Sequence, residues 1–156
     1  MGNVRRTSFA EMDCSVAQAL EVVGEWWSLL ILRDAFQGVR RFEDFQRHLG
    51  IARNVLAERL QRLVAEGVFE RRRYQEQPER FEYRLTEKGL DLYPVIVGLM
   101  HWGDKWASPP DGPPVILTHK NCEHDGLPVL TCPTCGDQVT ARDMRFRPGG
   151  ARGEDD

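Results

Sequence analysis

Residues 40–85 read RRFEDFQRHLGIARNVLAERLQRLVAEGVFERRRYQEQPERFEYRL, and their spacing decides the fold. Phe42, Phe45 and Leu49 fall at i, i+3 and i+7, one face of a helix that Gly50 ends. The period resumes at Leu56, Leu60, Leu63 and Val64 and stops at Gly67. Two helices about three or four residues apart, with a Gly in the turn, have the spacing of a helix-turn-helix. Val68 to Tyr74, the turn-prone run Gln75 to Glu79 with Pro78 in it, and the alternating Phe81, Tyr83 and Leu85 then predict a hairpin.

Helix, turn, helix and hairpin in this order predict a winged helix. In that fold one helix enters the major groove of DNA and the hairpin tip reaches the backbone or the minor groove. The charge distribution agrees. Arg40 to Lys88 holds 12 Lys+Arg against 9 Asp+Glu, net +3, while the remainder holds 9 against 15, net −6, within an overall −3. The positive charge is local, as a phosphate-facing surface requires.

Leu56, Leu60 and Leu63 place one face of the second helix inward, with Val55 at the edge. Left outside are Arg53, Asn54, Ala57, Glu58 and Gln61, flanked by Arg59 and Arg62. Arginine pairs bidentately with guanine and asparagine with adenine, and the first turn reaches deepest, so Arg53 and Asn54 are the leading base-contact candidates. Glu58 can accept from a cytosine amine or pair with Arg62 at i+4. Arg40 and Arg41 stand where a helix N-terminus meets phosphate. Arg71, Arg72 and Arg73 alternate across a strand and cannot share one face. Arg80, beside the Pro78 turn, is the expected wing contact, entering a narrow minor groove.

The 156 residues, 41% of them hydrophobic, suit one compact domain with an appendage, of α+β class and mainly α. The expected division is a flexible arm over 1–13, a winged helix with terminal dimerisation helices over 14–107, a Pro/Gly linker over 108–114, a small Cys-containing β-hairpin over 115–143 and a disordered tail over 144–156. No apolar run approaches about 18 residues, and Arg5 and Arg6 precede no apolar secretion segment. The chain is expected in the cytoplasm, with no membrane partner and with its cysteines as thiols, metal ligands or redox sensors. In the arm, Phe9 and Met12 can dock on a partner surface.

Ser15 can cap a helix running through Val16, Leu20 and Val23 to Gly24. A second helix, from about Trp27 to Ala35, is apolar nearly all round and should be the buried spine. After Thr86, a plausible cap, Leu90 to Trp106 is helical by pattern, with Pro94 tolerated near the first turn. It carries two apolar stripes, one of Leu92, Val95, Ile96, Leu99, Trp102 and Trp106, the other of Tyr93, Val97 and Met100. A small domain covers only one, so the pattern points to a homodimer whose recognition helices lie about one DNA turn apart on a pseudo-palindromic operator. The chain's own tail is the alternative cover. Trp26, Trp27, Phe36 and Met100 can line a pocket for a small-molecule effector, though such spacing more often marks plain core.

The appendage holds His119-x-x-Cys122 and then Cys132-x-x-Cys135-Gly136, with Val115, Ile116 and Leu117 as a short strand before them. Cys-x-x-Cys-Gly is a zinc-knuckle turn, and nine residues between Cys122 and Cys132 allow a hairpin to join the two pairs. His119, Cys122, Cys132 and Cys135 are thus candidate ligands of one structural zinc per chain, with His124 as an alternative imidazole. A dithiol redox switch and a metal-free hairpin remain open.

The run Cys14-Ser15-Val16-Ala17, then Gly24 to Asp34 (GEWWSLLILRD), Arg41-Phe42, the wing from Pro78 to Gly89 (PERFEYRLTEKG) and Trp102-Gly103 resembles the HxlR family of winged helix-turn-helix regulators, relatives of MarR. The resemblance covers about Cys14 to Trp106. It implies homodimeric transcription factors, often repressors, whose terminal helices dimerise, and in some members a thiol switch at the position of Cys14. The chain departs from the family pattern at Ala52, where members commonly have a capping serine, which leaves Asn54 as a possible cap. A protein-interaction module built on the winged helix and zinc hairpin is the alternative function. No P-loop, dinucleotide fingerprint or nucleophile with its base argues for an enzyme.

Overall fold

A computed structural model describes residues 8–107 and 110–147. The chain falls into two compact units, Met1–Gly103 and Asp104–Asp156. In the first, α1 (Ser15–Val23) and α2 (Trp26–Phe36) lead into α3 (Phe42–Leu49) and α4 (Arg53–Ala65). The hairpin β1 (Phe69–Gln75) and β2 (Arg80–Leu85) follows, then the single turn α5 (Glu87–Leu90) and α6 (Tyr93–Trp106), which carries the chain out of this unit.

Local chemistry sets these limits. The Glu25 carboxylate accepts from the Trp27 N–H and caps α2. Glu43 and Asp44 in the first turn of α3, with Arg47 and His48 in its last, match the helix dipole. Gly50 closes α3 at φ 61°, a left-handed conformation that a Cβ disfavours. Ile31 and Leu32 of α2, Phe45 of α3, Leu56, Leu60 and Leu63 of α4, and Val68 and Phe69 entering the wing form one buried cluster. The helical leucines expected to face inward are the ones that do.

β1 and β2 pair antiparallel from Phe69↔Leu85 to Gln75↔Arg80, with a bulge between Arg73 and Gln75. The segment entering α3 joins this sheet. Arg41 bridges to Glu82, and the Tyr83 N–H donates to the Arg40 carbonyl at 2.7 Å. Thr86 Oγ1 accepts from the Gly89 N–H at 3.2 Å, capping α5 as expected, and donates to the Gly67 carbonyl at 2.6 Å. Lys88 Nζ donates to the Glu66 carbonyl at 2.6 Å.

Several expectations change. Cys14, not Ser15, is the N-cap of α1, and no side chain bonds there. The arm is tied down where it is described, from Ser8 on: Gln18 Nε2 donates to the carbonyls of Ala10 and Met12 at 3.0 and 2.9 Å. Residues 1–7 lie outside the described residues. The spine helix starts at Trp26, which is exposed, and its burial centres on Ser28, Ile31, Leu32 and Asp34. The helix expected from Leu90 breaks at Asp91 and Leu92, leaving Pro94 in the first turn of α6, where its missing N–H has no partner to lose. Its faces are also redrawn. Leu92 and Ile96 pack on the core and Val97 is buried, whereas Val95, Leu99 and Trp102 are exposed, so each expected stripe is divided between inside and outside.

The second unit begins at Asp104, inside α6, rather than in the Pro/Gly stretch, because nothing in α6 beyond Val97 is buried. Ser108 and Pro109 lie outside the described residues, as do 148–156 of the expected tail; Met144 to Arg147 has no regular structure. No residue from Pro110 to Arg147 is fully buried. The strand expected at Val115 to Leu117 is instead β3 (Thr118–His119), paired with β4 (His124–Asp125). The Gly126 N–H donates to the Leu117 carbonyl at 2.9 Å, one step further along the same register. Among the described residues no single helix is long and apolar enough to cross a membrane.

Gly89 sits so close to the wing that a Cβ would stand 2.3 Å from the Val68 carbonyl oxygen. Gly89→Ala is expected to cost about 1–3 kcal/mol through forced displacement. Urea denaturation measures it, and an unchanged midpoint would show that the Val68 backbone yields freely.

Candidate nucleic-acid interface

The starts of α3 and α4 and the inner side of the wing enclose an open groove of about 620 Å³, lined among others by Arg41, Phe42, Arg53, Arg71, Tyr74 and Arg80. Three of its four arginines are seated on aromatic rings. The Arg41 guanidinium lies 4.7 Å from the Tyr74 ring centre, Arg53 4.7 Å from that of Phe42, and Arg71 3.6 Å from that of Phe81. Such stacking orients a guanidinium while leaving its N–H donors free.

Ion pairing divides the arginines of the first unit into two sets. Among its described residues, Arg33 pairs with Asp34, Arg47 with Asp44, Arg59 with Glu25, Arg62 with Glu66, Arg72 with Glu70, Arg73 with Glu79 and Arg84 with Glu82. Arg40, Arg41, Arg53, Arg71 and Arg80 have no carboxylate within 4.0 Å among the described residues, and all but Arg40 line the groove. Glu43, Asp44 and Glu79 also line it; Arg47 and Arg73 offset the charge of Asp44 and Glu79, and Glu43 stands in the first turn of α3. Ala52 begins α4 without a side-chain cap, so the first-turn amides of α4 keep their donors for an anion.

The expected contact residues separate accordingly. Asn54, Ala57, Glu58 and Gln61 are left on the outer side of α4, and Asn54 is a helical residue whose side chain is not spent on a cap. Arg40 and Arg41 lead into α3, with Arg41 as its N-cap, and Arg80 opens β2 at the wing tip. Arg59 and Arg62 are corrections. Arg59 Nε lies 3.2 Å from Glu25, with only 17% of the side chain exposed, and Arg62 donates to the Glu21 carbonyl at 2.7 Å. Both brace α4 against the α1–α2 segment. The expected Glu58–Arg62 pair is likewise replaced: Glu58 lies 3.5 Å from Arg59, and Arg62 approaches Glu66 at 4.0 Å. Sequence reading missed Phe42, Tyr74 and Phe81 as arginine seats; their alternation with Arg71, Arg73 and Arg80 was the available signal.

The cysteines are placed as follows. Cys14 is exposed at the start of α1. In the second unit His119 Nδ1 stands 3.1 Å from Cys122 Sγ, while His124 Nδ1 meets the Cys122 carbonyl at 3.1 Å. The Cys132 thiol is held below its ordinary pKa by hydrogen bonds to its sulfur, first from the Cys135 backbone N–H and then from that of Thr134. The four expected ligands are therefore brought together in pairs only. Among the described residues no group of three or more His, Cys, Asp or Glu converges to hold a metal, since each pair is organised by its own turn.

Residues 22–111 match the HxlR-like helix-turn-helix family. The chain belongs to this family. An uncharacterised HTH-type transcriptional regulator of Mycobacterium tuberculosis is 53% identical over 135 residues, 86% of this chain and 85% of the relative. The crystal structure of PA1607, described as a candidate transcription factor, matches with a TM-score of 0.80 and 38% identity over 92% of this chain and 100% of its own. The redox regulator HypR in its reduced form matches with a TM-score of 0.56 and 31% identity over 59% of this chain and 92% of its own. The HxlR chain is thus a winged helix-turn-helix transcriptional regulator and not an enzyme.

The two arginine sets lead to different expected outcomes. Arg53→Ala is expected to cost about 1–3 kcal/mol on a preferred duplex and relax discrimination there, and Arg41→Ala to weaken all duplexes alike while lowering the salt slope by about 1. Arg59→Ala should leave the affinity of folded protein unchanged but reduce stability by about 1–2 kcal/mol. Fluorescence anisotropy across a salt series, with denaturation curves for each variant, checks all three.

Proposed function

We propose that this HxlR protein is a cytoplasmic homodimer that binds a pseudo-palindromic operator and represses transcription. The observation that carries the reading is the set of unpaired arginines at the mouth of α4 and under the wing. They meet the negative charge of a duplex backbone, while Asn54, Ala57, Glu58 and Gln61 are exposed to meet base edges. Support for the dimer comes from the ends of the first unit. Val16 and Leu20 on α1, at 68% and 44% exposure, and Leu99 and Trp102 on α6, at 52% and 63%, offer apolar surface that a second copy covers. A two-fold axis between copies sets two α4 helices about 34–36 Å apart on one side of the duplex.

The operator is found by enriching a random duplex library on the protein. Placed over a promoter, the enriched duplex is expected to lower reporter transcription when the protein is present, and a rise would make the protein an activator. Leu99→Glu is expected to give monomers in analytical ultracentrifugation and to weaken operator binding at least about 10-fold, because the half-sites then bind separately. A dimeric Leu99→Glu variant would place the interface elsewhere.

Cys14 is the candidate signal input. It is exposed at the N-cap of α1, and the redox regulator HypR is among the chain's structural neighbours. Mild oxidant or an electrophile is expected to release operator DNA from the native protein but not from Cys14→Ser. Equal release from both would move the sensor away from Cys14.

A further inference from the structure

The second unit has no core, yet it holds two turns of the same build. In the first, the Glu123 N–H donates to the His119 carbonyl at 2.7 Å; in the second, the Gly136 N–H donates to the Cys132 carbonyl at 2.8 Å. The fifth residue of each is left-handed, Glu123 at φ 54° and Gly136 at φ 79°. Glu123 is the one described non-glycine residue with positive φ, a conformation that costs a Cβ-bearing residue of order 1–3 kcal/mol and persists where its surroundings demand it. Antiparallel pairing flanks both turns, His119↔His124 around the first and Thr131↔Gln138 around the second, where the Cys132 N–H also donates to Asp137 at 2.8 Å. His119, Cys122 and Glu123 therefore correspond position by position to Cys132, Cys135 and Gly136.

We propose that these turns are the two halves of one closed structural zinc site, with His119 Nδ1 and the thiolates of Cys122, Cys132 and Cys135 as ligands. The donors fit. Three thiolates and one imidazole form a known tetrahedral zinc set, in which Zn–N and Zn–S bonds imply an N···S separation of about 3.5 Å. His119 Nδ1 and Cys122 Sγ stand at 3.1 Å, so the first pair needs to open by only a few tenths of an ångström. His124 has no counterpart among the ligands of the second turn, where Asp137 occupies the equivalent sixth position, and its Nδ1 already meets a backbone carbonyl.

Each half is preformed, and the metal supplies the interaction that joins them. Thiols and an imidazole have no mutual attraction strong enough to close nine intervening residues, so binding and closure are one process. The unit has need of it. Ile116, Leu130 and Phe146 are 65%, 71% and 103% exposed, and an apolar core this incomplete does not order so short a segment. On binding, the three thiols release their protons to solvent, and the Zn2+ site carries one net negative charge. Four protein ligands leave no position for water, which makes the site structural.

The test uses the full-length protein, reduced, stripped and titrated with Zn2+, with bound metal measured by mass spectrometry and thiols by Ellman's reagent. One zinc per chain is expected, with Cys14 reacting fast and the other three thiols protected. Substituted Co2+ is expected to show thiolate charge-transfer bands and tetrahedral d–d intensity. Cys132→Ser, Cys135→Ser and His119→Ala should each lower zinc affinity against a competing chelator by more than about 100-fold, and His124→Ala and Cys14→Ser should not. Circular dichroism of the winged helix, unchanged in every variant, keeps loss of metal distinct from loss of fold. No retained zinc with four equally reactive thiols overturns the proposal. Half a zinc per chain overturns the single-chain site, and retention by His119→Ala with loss in His124→Ala overturns the ligand set.

Discussion

Phe45 and Phe69 meet edge to face, both buried, with ring centres 6.4 Å apart. This contact joins the first helix of the helix-turn-helix to the first strand of the wing, and Leu56, Leu60 and Leu63 of α4 belong to the same buried cluster. A buried Phe is worth about 3–5 kcal/mol against Ala, a large part of the roughly 5–15 kcal/mol that holds a domain folded. The angle between recognition helix and wing is thus an outcome of core packing, and the groove between them inherits its shape from residues that never touch its contents.

On that frame the charges are allotted with little overlap. Where an arginine serves the fold it has a carboxylate or a backbone carbonyl, as Arg59 has Glu25 and Arg62 has the Glu21 carbonyl. Where it faces the groove it has no carboxylate within 4.0 Å among the described residues, and Arg41, Arg53 and Arg71 each have a ring beneath them. An exposed cation–π contact contributes about 0.5–1 kcal/mol, modest as stability but useful as restraint. A guanidinium already held in plane loses less side-chain freedom when a phosphate or base arrives. This division shows how an acidic protein presents arginines at the groove: of the three carboxylates that line it, Asp44 and Glu79 are paired with Arg47 and Arg73, and most of the others lie elsewhere.

Much of this could be read directly from residue order. The leucine period with Gly50 and Gly67 located the helix-turn-helix, and the alternation of Phe81, Tyr83 and Leu85 located the wing, because each pattern reflects packing within about ten residues. Contacts with distant chain were harder. Periodicity puts Arg59 and Arg62 on the flank of α4 but says nothing of the Glu25 carboxylate and Glu21 carbonyl waiting there. The one-residue bridge of Arg41 to Glu82 has no pattern at all. Two apolar stripes could be seen on α6, yet which side the core would take depended on where Thr86 and the α5 turn delivered the helix.

That delivery is itself a short mechanical linkage. Thr86 Oγ1 grips the Gly67 carbonyl just past α4 while capping α5, and Lys88 Nζ grips the neighbouring Glu66 carbonyl from within α5. The C-terminal end of the recognition helix is therefore clamped by two side chains to the turn that leads, two residues later, into α6. α4 and α6 are thus joined at one point, formed by residues 66–67 and 86–89. The seating of α6 and the pitch of α4 are therefore set by the same few residues.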